Sequence, residues 1–368
     1  KEVFKGGGIV QLLALLSFIN TEVQIQAAAA LSELCQGAGG KNKRKAQDAV
    51  AKAGGVGPLL AVIESPQTKQ PLVAQATHAL AMFARGHRAN QDSIAQMGGL
   101  KTLCDQLQTS RVDGNGQNTP LSQASASLAI NTICHNHLPN QTTVADLGGL
   151  AQLGMLMQRR GESNTHVMNP AMPYLSLSVE AEAAGAMWSL CDLHDANKVA
   201  AASAQVIPTL CGLLTMQLDR AQLHATKGLA ALCASNTTNQ YETAGLLVAA
   251  LCKGDKDAEF HNRVLSVLWS MVSDNPADAT AIARAGGAEN LVMLLRDGTN
   301  NDKQYALWSL SLGLDETFHE VIAERDGVTP LVAALASRDA MRMEQAAAAL
   351  SKLAVGGQDA RLMIAKAG

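Results

Sequence analysis

The sequence is short of the residues that sheets, membranes and nucleic-acid sites draw on. Aromatic residues are 3% of its 368 positions, with five Phe, three Tyr and three Trp, so the aromatic and β-branched runs that favour pleated sheet are scarce. No apolar run approaches the ~18 residues needed to cross a bilayer; the stretch from Gly245 to Cys252 is far too short, which excludes direct membrane insertion by a helix. There is no surplus of basic charge either. A formal net charge of -3 and a pI of about 6.3 supply no global field to neutralise a phosphate backbone, which excludes nucleic acid as the default partner. The seven cysteines, at 35, 104, 134, 191, 211, 233 and 252, contain no CxxC pair. They follow apolar helix residues singly and read as small buried hydrophobes in a reducing compartment, cytosol or nucleus. The chain opens on Lys1 without an initiator Met or a signal peptide, and is expected to be a segment of a longer protein.

What is present is helix-forming and repetitive. Hydrophobic residues make up 47% and charged residues 17% of the chain, with Ala and Leu dominant. That is apolar content enough for a continuous core over a length that exceeds a single-core domain, so two domains or a repeat array is implied. A small-residue step followed by an apolar helix opening recurs at Gly7-Gly8, Gly54-Gly55, Gly98-Gly99, Gly148-Gly149, Gln205-Val206, Ala244-Gly245, Gly286-Gly287 and Asp326-Gly327. Its spacing is close to 41 in the last intervals and longer in several earlier ones, so eight units fill residues 1–368 as a single array.

Each step leads into an apolar helix such as 290–295, then into a longer Ala-rich helix, of which Gln75 to Ala84, Gln123 to Cys134 and Glu182 to Leu193 are examples. Before the next step lies a short segment opening on Asn or Asp, as at Asn90, Asn140 and Asp278, where that residue is expected to cap a short first helix. A glycine pair then allows positive φ and a sharp turn.

Short helix, Gly-Gly corner and two longer helices at a period near 41 resemble the armadillo repeat family over essentially the whole chain, the corner separating it from two-helix HEAT repeats. The resemblance implies an all-α, right-handed superhelical solenoid of about eight three-helix repeats, whose third helices line a concave groove.

Three stretches depart from the period. Residues 109–120 are rich in Gly and Asn, residues 158–179 carry Pro170 and Pro173, and residues 37–45 run Gly-Ala-Gly-Gly-Lys-Asn-Lys-Arg-Lys. The first two are expected as surface insertions between second and third helices, tolerated because lengthening a loop costs little. The third lacks the Lys-Ser/Thr ending and the preceding strand of a phosphate loop, and reads as a solvated approach to the next first helix. Cys134-His135-Asn136-His137 and Cys191-Asp192-Leu193-His194 lack a second ligand pair at zinc spacing. No catalytic residue, metal site, cofactor or small-molecule substrate is expected.

Importin-like members of the family carry a Trp and, four residues later, an Asn on the third helix, and that resemblance points to Trp188/Asp192, Trp269/Ser273 and Trp308/Leu312 here. None keeps the Asn, whose amide both donates to and accepts from a peptide backbone; Asp192 only accepts, and Leu312 does neither. The other repeats offer Ala29/Glu33, His78/Met82, Leu128/Thr132, Lys227/Ala231 and Ala348/Lys352. The groove residues expected to hold a partner are Trp188, Asp192, Trp269, Ser273, Gln304 and Trp308, with Glu33, Lys227 and Lys352 setting charge preference. The function implied is a eukaryotic adaptor or scaffold that binds extended or helical segments of partner proteins, in the cytoplasm, at the cytoskeleton or cilium, or in the nucleus. A structural subunit of a ciliary or cytoskeletal assembly is the alternative, and the missing Asn argues against a nuclear transport adaptor.

Overall fold

The computed structural model describes residues 7–36, 40–108, 119–158, 167–169, 172–216, 218–253, 258–274, 279–313, 316–355 and 358–367. Most of the 109–120 insertion, and Gly37–Gly39, lie outside them. The chain divides into two compact units, Lys1–Leu232 and Cys233–Gly368, where the sequence alone suggests one array.

In the first unit, α1 (Gly8–Leu15) and α2 (Thr21–Gln36) are the second and third helices of a repeat. Complete repeats follow: α3 (Gly40–Lys52), α4 (Val56–Glu64) and α5 (Gln70–Ala84); α6 (Arg88–Gln96), α7 (Gly99–Leu107) and α8 (Pro120–Cys134); α9 (Leu138–Asp146), α10 (Gly149–Gln158) and α11 (Val179–Cys191); α12 (Asp195–Ser203), α13 (Val206–Leu213) and α14 (Asp219–Cys233). The basic stretch after Gly39 is thus helix α3 and not a loop. The second unit holds α15 (Thr237–Lys253), α16 (Ala258–Asp274), α17 (Ala279–Ala285), α18 (Ala288–Asp297), α19 (Asn300–Gly313), α20 (Glu316–Glu324), α21 (Val328–Leu335), α22 (Ala340–Val355) and α23 (Gln358–Lys366).

The two corner glycines act differently. At Gly98-Gly99 and Gly148-Gly149 the first takes the left-handed conformation, φ +82° at Gly98 and +76° at Gly148, whereas at Gly286-Gly287 the second has positive φ, +78°. Gly149, second in its pair, has an ordinary φ but no room for a side chain: a Cβ there would lie 2.5 Å from Val144 Cγ1 and 2.9 Å from the Val144 carbonyl oxygen. At other steps Gln205 and Asp326 hold the left-handed position with φ of 57° and 55°. The Ala244-Gly245 step makes no corner, contrary to the expectation of three helices in every unit. There the glycine sits second, Ala244 disfavours positive φ, and first and second helices run on as the single helix α15.

Three first helices, α6, α9 and α12, are capped by histidine and not by the Asn expected at Asn90 and Asn140, whereas Asn236 Oδ1 caps α15, accepting from the Asn239 N–H at 3.0 Å; Asp278 lies outside the described residues. Nδ1 of His87, His137 and His194 accepts from the backbone N–H of Asn90, Asn140 and Asn197 at 3.4, 3.3 and 3.3 Å. An accepting Nδ1 places the proton on Nε2, which lies 2.9 Å from Asp48 Oδ1 in His87 and 2.7 Å from Asp92 Oδ1 in His137. The hydrogen bond to His87 holds the Asp48 carboxyl below its ordinary range. Each Asn amide turns back instead onto the third helix of the preceding repeat: Asn90 Nδ2 donates to the Phe83 carbonyl at 2.9 Å, Asn140 to Ile133 at 3.1 Å and Asn197 to Leu190 at 2.8 Å. A Gln at the next position, or at the matching place in α3, reaches the third helix of its own repeat. Gln47 Nε2 donates to the carbonyls of Met82 and Arg85, Gln91 to Thr132, and Gln141 to Ser189 at 2.7 Å and Asp192 at 3.3 Å.

Successive third helices α2, α5, α8 and α11 pack side by side, and small residues let them approach: Ala74, Ala76, Ala124, Ala126, Ala183 and Ala184 are fully buried. This is where the Ala-rich, aromatic-poor composition goes. The 158–179 insertion supplies one departure from an all-helical chain. Strands β1 (Val167–Asn169) and β2 (Met172–Leu177) pair antiparallel, Val167 opposite Leu177, and the hairpin lies against α5 and α8.

Two substitutions test this account by urea denaturation. Gly149→Ala forces a methyl into the Val144 contact and lowers stability by about 1–3 kcal/mol. Gln141→Ala strands buried carbonyls of two repeats and lowers it by about 1–3 kcal/mol; no loss in the second variant would refute the clamp.

Candidate functional site

The third-helix face of the first unit is closed at one part and open at another. His78, Met82, Leu128 and Thr132, on the face expected to line a groove, are 2%, 3%, 5% and 8% exposed. They sit on α5 and α8, the two helices that the β1–β2 hairpin contacts. His78 Nδ1 lies 3.1 Å from Ser32 Oγ, and burial pushes its pKa down to about 4.

The face opens where α11 and α14 approach the C-terminal ends of α5 and α8. A cavity of about 320 Å³ lies there, lined by Arg85, Leu128, Asn131, His135, Trp188 and Lys227 among others. Trp188 is half-buried, with the His135 ring 5.4 Å away and tilted by 59°. Lys227 Nζ stands 4.4 Å from the indole centroid, within range of a cation–π attraction. Asn131 Oδ1 accepts from Ser189 Oγ.

Two further cavity residues are tied to α11. His224 Nδ1 donates to the Ala181 carbonyl at 2.6 Å, and burial holds its pKa below the usual value, so the ring is neutral. Gly185 makes that possible, since a Cβ there would fall 2.7 Å from His224 Nδ1 and 2.9 Å from Asn131 Nδ2. Arg220 forks the fully buried Glu182, Nε to Oε1 at 2.8 Å and Nη2 to Oε2 at 3.0 Å. Burial nevertheless raises the Glu182 pKa to about 7, with Arg220 opposing.

In the second unit the aromatic residues form their own patch. Trp269 on α16 and Trp308 on α19 meet at 4.9 Å and 60°, and both also contact the fully buried Tyr305. Each Trp is half-buried, so it wedges between adjacent third helices and still shows an edge to solvent. Gln304 bridges α19 to α22, accepting from Arg342 Nε at 2.9 Å and donating to Gln345 Oε1 at 2.7 Å. Lys352 Nζ donates to the Leu312 carbonyl at 3.2 Å. The Ser273 side chain lies outside the described residues, and Glu33 is exposed on α2.

No protein-family model matches the sequence, and no curated protein matches it. Solved structures do. An engineered protein of the Northeast Structural Genomics Consortium has a TM-score of 0.61 at 26% identity, over 98% of this chain and 82% of that one. A designed armadillo repeat protein superposes at 0.55 with 16% identity, over 72% of this chain and 99% of its own. A computationally designed armadillo repeat protein for modular peptide recognition superposes at 0.54 with 17% identity, over 71% and 99%. The chain folds as armadillo repeats.

Within this armadillo frame the nine residues singled out from the sequence do not form one cluster. Trp188 and Lys227 meet in the first unit; Trp269, Gln304 and Trp308 neighbour one another in the second. Asp192 is not a fourth-residue partner of Trp188 on a helix face. α11 ends at Cys191, Asp192 is its C-cap, and Leu193 turns left-handed with φ 58°. Arg85 and His135 hold the same C-cap position after α5 and α8, and sequence reasoning missed them. Their common mark is the next residue, Gly86 and Asn136, which takes positive φ. The two Cys-His runs are structural: Cys134 and Cys191 are buried with raised pKa values, that of Cys191 to about 12, and His137 and His194 cap helices. Among the described residues no helix is long and apolar enough to cross a membrane.

The Glu182 environment predicts a pH effect. Its folded pKa of about 7 exceeds the ordinary 4.5, so the native state holds the proton more tightly, and stability falls as pH rises between those values. The slope from this one group is at most about 1.4 kcal/mol per pH unit. Urea midpoints at about pH 5 and pH 8 should converge in Glu182→Gln relative to wild type; an unchanged difference would show that Glu182 is ionised throughout.

Proposed function

We propose that this armadillo-repeat chain is a protein-interaction adaptor or scaffold that holds extended peptide segments of partner proteins against its third-helix face, and that it acts by recognition and not by chemistry. The observation that carries the reading is Trp188, a large half-open ring at a cavity mouth, backed by His135 and overlaid by the Lys227 ammonium. Such amphipathic anchors in preformed pockets dominate binding energies. The Trp269–Trp308 patch offers a second anchor of the same kind. The fold is shared with designed armadillo proteins made for modular peptide recognition, which accords with binding but leaves its specificity to this chain's own side chains. The cysteines with shifted pKa values are moved up by burial, which leaves them poor nucleophiles, and cysteines unpaired among the described residues suit a cytoplasmic setting.

The test is alanine at Trp188, and separately at Trp269 with Trp308, in the intact protein recovered from its native cells. Loss of a hot-spot aromatic weakens binding by about 2 kcal/mol or more, so a stoichiometric partner should be lost while the far-ultraviolet circular dichroism and melting temperature hold. If the variants remain in a large, salt-resistant assembly, a structural subunit replaces the adaptor. If they unfold, the tryptophans are core.

A further inference from the structure

The cavity beside Trp188 has the wrong charge for the chain that carries it. The 368 residues are formally -3, yet Arg85, Arg220 and Lys227 converge on this one space together with the His135 and His224 rings. One carboxylate among the described residues meets this group at close range, Glu182, and Arg220 takes both of its oxygens. The Arg85 guanidinium and the Lys227 ammonium have no hydrogen-bond or ion-pair partner among the described residues. His135 Nδ1 is buried there without a partner as well.

The neighbouring groups register the crowding. The Lys43 pKa is lowered, first by burial and next by Arg85. That of His224 is lowered by burial, with the Ala181 carbonyl opposing and Arg220 and Lys227 adding to it, and that of His78 by burial, with Glu33 opposing and Arg85 and Arg220 adding to it. Like charges held together without counter-charge are unfavourable, and an anion placed among them relieves the repulsion.

The cavity's shape narrows the anion further. At about 320 Å³ it has room for a side chain with several waters at ~30 Å³ each. The Trp188 ring gives a flat wall for methylene groups, and the Arg85 and Lys227 side chains line the same cavity. From this geometry we infer that the cavity takes the carboxylate of a Glu or Asp side chain in the bound peptide, its stem lying along Trp188 and its oxygens paired with Arg85 and Lys227. Partners are therefore acidic at this position, and a basic peptide is repelled. Recognition there comes through a side-chain charge, in place of the backbone amide contacts that the missing Asn would have made.

This inference rests on the peptide-binding reading above, and one set of probes separates the two. Fluorescein-labelled decapeptides alternating Glu-Ala, Gln-Ala and phosphoserine-Ala, with inorganic phosphate as competitor, are titrated by anisotropy into the full chain, its Trp188→Ala variant and the Arg85→Gln/Lys227→Gln double variant. The Glu-Ala peptide should bind about tenfold or more tighter than Gln-Ala, the range expected for desolvated charge pairs. The advantage should fall with salt and vanish in the double variant, with the melting temperature unchanged. Equal binding of Glu-Ala and Gln-Ala, both weakened by Trp188→Ala, would overturn the acidic preference and leave peptide binding standing. An advantage that survives in the double variant, or preference for phosphoserine or inorganic phosphate over Glu, would overturn it too. If no peptide binds and Trp188→Ala changes nothing, both readings fall together.

Discussion

A helix that ends inside a protein leaves its last carbonyls without partners, and in a stack of repeats every third helix ends that way. The chain answers this with one device repeated along the first unit. A histidine caps the next short helix, an Asn three residues on returns to the helix just ended, and the following Gln reaches the corresponding carbonyls of the next repeat. Because the amides bond to backbone, the arrangement dictates register and tolerates great variety in the side chains of the helices it joins. The glycine corners are then left with a narrower role, returning the chain from the first helix into the second within the space that the clamp leaves.

The same device sets the candidate site. Gln47 takes the Arg85 carbonyl and Gln141 that of Asp192, so the C-cap residues of α5 and α11 are held by their backbones while their side chains stay free to differ. Arg85 stands at such a position, and His135 is the corresponding C-cap of α8, three residues after the Thr132 carbonyl that Gln91 holds. Trp188 and Lys227 come from α11 and α14, which lock together through Arg220–Glu182 and His224–Ala181. The cavity is therefore assembled from rigid backbone points on neighbouring repeats, an arrangement that orders the site before any partner arrives.

Much of the fold was readable because glycine and alanine report backbone and close packing directly. The corners at Gly98-Gly99 and Gly148-Gly149, and the Ala-rich third helices, stand in the structure as the period suggested. What escaped was whatever depends on a residue's partner across repeats. Asn90 and Asn140 have the look of helix caps, and only the distance to Phe83 and Ile133 shows them as clamps. The Ala244-Gly245 step has corner composition with its glycine one place late. Trp188 and Lys227 were each visible, but their stacking, and the arrival of Arg85 from two repeats away, are properties of the packed face.

The hairpin of the fourth repeat gives the first unit an order of events. Helical repeats ordinarily fold through contacts between immediate neighbours, and can begin anywhere along the stack. β1 and β2, however, settle on α5 and α8, helices of the two preceding repeats, so their docking surface exists only after those helices have come together. As the chain leaves the ribosome the surface emerges first and its cover later. For that interval the parts of α5 and α8 that the hairpin contacts are without that cover, and its docking is what closes them.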